Sequence, residues 1–115
     1  MERTKKTQIA QAIEKWGKSH GLLYDTRIYF SNKAWAYDSD GKRSIIKDVK
    51  ATDYFQYGND DTVSVSFEGP MYEVFEYGWS NKGQQAILDE FIELIDSLGV
   101  WYERGNAWNL SIYEE

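Results

Sequence analysis

Carboxylates alternate with large aromatics in SVSFEGPMYEVFEYGW, Ser64 to Trp79, a stretch that also holds the chain's only proline. Glu68, Glu73 and Glu76 are the residue type that proton transfer and glycoside hydrolysis use in pairs, provided burial raises the pKa of one member. The segment reads as two strands, TVSVSFE and MYEVFEY, turning at Gly69-Pro70. One face of that hairpin then carries Val63, Val65, Phe67, Tyr72 and Val74, a core set with Glu76 at its margin. The other carries Ser64, Ser66, Glu68, Glu73, Phe75 and Tyr77. Glu68 and Glu73 become diagonal neighbours on a solvated face, where nothing raises a carboxyl pKa. No catalytic residue is assigned.

The remaining chemical candidates reduce to structural roles. His20 is the sole histidine and falls in the apolar stripe at the end of the first expected helix, where an imidazole packs and meets the terminal carbonyls. With one histidine and no cysteine, His-dependent triads lack support, and disulfides and thiolate metal sites are excluded. Asp38–Lys42, DSDGK, begins like a calcium loop, but Lys42 and Arg43 stand where an oxygen ligand and a glycine are needed. Asp40-Gly41 is instead the chemistry of a hairpin turn. No dinucleotide, phosphate-loop or nucleophile-elbow motif is present, so neither metal nor cofactor is expected.

The elements that must position these residues follow from periodicity. Ile9, Ala12, Ile13 and Trp16 recur at helical spacing within a segment of about 4–20, opposite Gln11, Glu14, Lys15 and Lys18, and Gly21 can stop that helix. Residues 22–49 are rich in aromatic and β-branched types punctuated by SNK and DSDG, which predicts two or three antiparallel strands. KATDYFQYGNDD fits a strand or a loop with one helical turn. The second helix, about 82–98, places Ile87, Phe91, Leu94, Ile95 and Leu98 on one face, with Asn81 and Gln84 resembling a capping box and Gly99 as the stop. The tail is a hairpin turning at Gly105-Asn106. The expected fold is a single α+β domain over residues 1–115, a two-layer sandwich of a mostly antiparallel sheet and two amphipathic helices.

Charge carries the functional reading. Residues 1–50 hold 11 Lys and Arg against 6 Asp and Glu, and residues 51–115 hold 2 against 13. The halves are therefore +5 and −11, an asymmetry that bears on association rather than on fold. Basic residues interleave with aromatics near Arg27 and Lys33, a pattern that single-strand nucleic-acid binders use. The acidic chain as a whole argues against direct nucleic-acid binding. With no apolar leader or span, a cytoplasmic protein that avoids membranes is expected.

These features predict a non-enzymatic protein that docks on a basic protein surface, such as an inhibitor or accessory factor of a nucleic-acid-handling enzyme. The candidate contact residues are Glu68, Glu73, Phe75, Tyr77, Asp89, Glu90, Glu93 and Asp96. The alternative is a small-molecule-binding domain or cryptic enzyme with an aromatic-lined pocket between sheet and helices.

Overall fold

The computed structural model describes all residues 1–115. Its amphipathic first helix, α1 (Arg3–Ser19), buries Ile9, Ala10, Ile13 and Trp16. It ends through Gly21 at a φ of 65°, a left-handed conformation in which glycine carries no Cβ penalty. Three strands follow, β1 (Thr26–Phe30), β2 (Lys33–Tyr37) and β3 (Arg43–Lys47). Ser31 and Asn32 both have positive φ, which turns the β1–β2 hairpin in two residues with the twist its strands need. The Asp38 carboxylate closes the β2–β3 turn, accepting from the backbone N–H of Asp40 and Lys42, both at 2.9 Å.

KATDYFQYGNDD forms a loop with one helical turn, a short 3₁₀ segment at Ala51–Asp53. Strand β4 (Ser64–Phe67) leads to a helix where the sequence suggested a returning strand. This is α2 (Pro70–Tyr77), so the domain has three helices rather than two. Pro70 starts it because the first helical position needs neither the missing N–H nor any φ other than proline's own. Met71, Val74 and Phe75 are its buried residues, at the i, i+3, i+4 spacing of a helix face. Asn81 caps α3 (Lys82–Ser97), its side-chain oxygen accepting from the N–H of Gly83 and Gln84. Strands β5 (Val100–Arg104) and β6 (Asn109–Glu114) close the chain as a hairpin.

All six strands join one antiparallel sheet in the order β3-β2-β1-β4-β6-β5. The main core lies between the helices and one sheet face. There Ile28, Trp35, Val65 and Ile112 meet Ile13, Phe75 and Phe91. Burying such side chains stabilises the fold by about 1.5–3 kcal/mol each. A smaller cluster on the opposite face packs Ala51 and Phe55 over Tyr29 and Ala34. The strand order also converts the charge asymmetry of the sequence into one of space. Strands β1–β3, from the basic half, occupy one side of the sheet, and β4–β6, from the acidic half, occupy the other. No helix is long and apolar enough to cross a membrane.

Candidate functional site

The replacement of a hairpin by α2 rearranges the sequence-predicted residues. Phe75 is removed from the surface set: it is 1% exposed and stacks on Phe67 with centroids 5.2 Å apart. Its neighbours at i−4 and i−1 are buried with it, because helical rather than alternating spacing governs this segment. Glu68 and Glu73 do not share a strand face. Glu68 follows β4, whereas Glu73 and Tyr77 stand one turn apart on the exposed side of α2. Glu76 pairs with Arg104 at 3.2 Å, and the same guanidinium donates to the Phe75 carbonyl at 2.9 Å. Arg104 thus places a cation near the C-terminal end of α2 and ties that helix to β5.

On α3, Asp89, Glu93 and Asp96 are exposed along one outward stripe, at helical spacing and opposite Phe91 and Ile95. None has a cation within ion-pair distance. Glu90 belongs to a different side, where it pairs with His20 at the end of α1. His20 also packs edge-on against Trp16, centroids 6.3 Å apart, so its role is at the α1–α3 junction. Between α2 and α3, Trp79 is 77% exposed and Tyr77 is 51% exposed. Trp79 was not among the sequence-predicted contacts, although its position beside Gly78 in a connecting turn was readable.

Two clefts of similar size open elsewhere. The first, about 540 Å³, lies between α1 and the β2–β3 turn. Its charged groups include a network on Glu14, whose carboxylate accepts from the Tyr37 hydroxyl and, at 2.9 Å, from Arg43. Burial raises the Tyr37 pKa, and the hydrogen bond and charge of Glu14 raise it further. Arg43 lies over the Trp35 ring, 4.9 Å from its centroid. This network fastens α1 to the sheet.

The second cleft, about 520 Å³, sits on the sheet face away from the helices. Its floor follows from register: Ser44, Ala36, Arg27 and Ser66 are successive partners across β3, β2, β1 and β4. Three of the four are small, so the surface dips. Tyr54 and Trp108 line the cleft beside them. Both belong to the aromatic set built on Tyr29 and Phe55. Arg27 is half-buried, with its guanidinium 5.4 Å from the Tyr54 centroid. It donates to the Tyr29 hydroxyl at a long 3.5 Å, a contact that raises its pKa, and no carboxylate lies within ion-pair distance.

Searches of protein-family models, curated proteins and solved structures found no match to the chain. Function therefore rests on the geometry of these surfaces. The cleft is not local in the sequence: its residues come from six separated segments, brought together by strand register for the floor and by aromatic packing for Tyr54 and Trp108.

Proposed function

We propose that this is a non-enzymatic binding protein that docks on a basic protein surface through the outward side of α2 and α3. The observation that supports this reading is Trp79, 77% exposed in the turn between two helices that carry Glu73, Asp89, Glu93 and Asp96, none of which has a cation within ion-pair distance. Tryptophan and tyrosine are the residues most often found as interface anchors. Carboxylates around them steer a cationic partner and fix its orientation. Glu73, Tyr77, Trp79, Asp89, Glu93 and Asp96 make up the proposed surface, with Lys82 the only base between Ala51 and Glu103. Glu68 and Glu90 fall outside it. A nucleic-acid-handling protein, whose basic surface ordinarily meets phosphate, is the kind of partner that fits.

Affinity capture with the intact protein at low and high salt tests this reading, with bound proteins compared between wild type and Trp79→Ala. The expected result is a basic protein retained at low salt, released by high salt and lost on the Trp79→Ala protein. Equal retention on both proteins would contradict the proposed surface.

A further inference from the structure

The cleft on the second face of the sheet combines three features not required by the sheet itself. Its floor is a cross-strand row of small side chains interrupted by Arg27. A guanidinium has five N–H donors, and here it makes one long hydrogen bond, to Tyr29, while lying 5.4 Å from the Tyr54 ring centroid. Its lean toward Tyr29 and Tyr54 carries it away from the end of the cleft formed by Asp25 and Glu68. Those two residues are held together by a backbone bond from Glu68 N–H to the Asp25 carbonyl, 3.0 Å long. Neither carboxylate is engaged in an ion pair. Asp25 precedes β1 and Glu68 follows β4, each two residues in sequence from the Arg27–Ser66 pair. Opposite charges are therefore separated across a gap, beside the rings of Tyr54 and Trp108.

We propose that this cleft binds a small zwitterion bearing a planar ring, of which an aromatic α-amino acid is the simplest example. The ligand carboxylate meets the Arg27 fork, its ammonium faces Asp25 and Glu68, and its ring lies on the small-residue floor against Tyr54 and Trp108. The arrangement follows from charge and shape. A guanidinium matches a carboxylate in two parallel hydrogen bonds. Ala36, Ser44 and Ser66 let a flat group approach the sheet closely. The acidic end disfavours a polyanion, which rules against nucleotides as the preferred class. The cleft volume, about 520 Å³, falls within the range of small-ligand pockets. This site is on the opposite sheet face from the helices, so it stands independently of the proposed partner surface.

Backbone amide NMR titration of the intact protein with L-phenylalanine tests the site, with 3-phenylpropionate and 2-phenylethylamine as ligands lacking one charge each. The expected result is saturable shifts at Arg27, Ala36, Ser44, Ser66 and Trp108 for L-phenylalanine. Binding should be at least about tenfold weaker for either singly charged analogue, the factor that one modest charged contact supplies. Arg27→Met should abolish saturation. Arg27→Lys, which keeps the charge but loses the fork, should weaken it, and both spectra should retain native dispersion elsewhere. Absence of saturable shifts up to about 10 mM ligand would overturn the proposal, since weaker association is nonspecific in practice. Equal binding of the singly charged analogues, or full binding by a folded Arg27→Met protein, would overturn it as well.

Discussion

Trp16 of α1 and Phe91 of α3 meet with ring centroids 4.6 Å apart, and the Trp16 indole N–H donates to the Ile87 carbonyl at 3.1 Å. Two helices far apart in sequence are thereby joined by an aromatic contact and a hydrogen bond from the same side chain. Phe75 of α2 packs against both rings, at 6.1 and 5.2 Å, so all three helices converge on one aromatic group.

Truncating either residue of that pair should be costly. Trp16 and Phe91 are 4% and 1% exposed, and Trp16→Ala or Phe91→Ala should each lower unfolding free energy by about 3–5 kcal/mol. The two losses should be markedly non-additive in the double variant, because the residues touch. Denaturant unfolding measures both effects. A loss below about 1 kcal/mol would contradict the packing.

A second expectation concerns the junction that the sequence reading missed. A Cβ at Gly69 would overlap the backbone carbonyl oxygen of Tyr24, an atom held within the sheet's approach rather than on a flexible side chain. Gly69→Ala should destabilise the protein by more than the few tenths of a kcal/mol expected of an exposed glycine-to-alanine change. Thermal unfolding of this variant tests whether α2 starts where the fold places it.

That junction shows what was legible in the sequence and what was not. Helices α1 and α3 span enough turns for their apolar stripes to repeat, and glycines 21 and 99 mark their ends at positive φ. The hairpins declared themselves through turn residues. Pro70–Tyr77 is only two turns long and contains Tyr, Val and Phe, types that favour strands, so composition outweighed a helical spacing of Met71, Val74 and Phe75. Proline immediately after glycine was the available start signal. Misreading it also misassigned Phe75, whereas Asp89, Glu93 and Asp96 kept their outward position because the α3 period was clear. The meeting of Arg27, Ser66 and Trp108 has no local signal, since it depends on which strands become neighbours.

Alkaline pH should expose the Tyr37 linkage. Burial, aided by Glu14, raises its folded-state pKa above the ordinary value of 10.0, and burial does the same at Tyr102. A raised folded pKa contributes stability that is fully present below the unfolded pKa and is lost as pH rises toward the folded one. Stability should therefore decline above about pH 10, by at most about 1.4 kcal/mol per pH unit for each tyrosine. Tyr37→Phe should be less stable at neutral pH, having lost its bond to Glu14, yet decline less steeply above pH 10. Urea unfolding across that range distinguishes the two slopes. An unchanged slope in Tyr37→Phe would contradict the assignment.

Glu90 offers a contrast with the proposed interface carboxylates. It meets a partly exposed His20 at the surface, and exposed polar contacts of this kind contribute little, about 0–1 kcal/mol. Glu90→Gln should change stability by less than about 1 kcal/mol and leave partner association unchanged, because this side of α3 faces α1. Denaturant unfolding and binding kinetics check the two halves of that expectation.

The most direct measurement is the association rate of the captured basic partner as a function of ionic strength, comparing wild type with Asp89→Lys/Glu93→Lys/Asp96→Lys. These three side chains are exposed and oppose the apolar stripe, so the variant should fold with little change in stability. The expected result is a slower association rate and a shallower salt dependence, with the dissociation rate changed less, because exposed charges act chiefly by steering. An association rate and salt slope equal to those of wild type would contradict the claim that the acidic helical face is the docking surface.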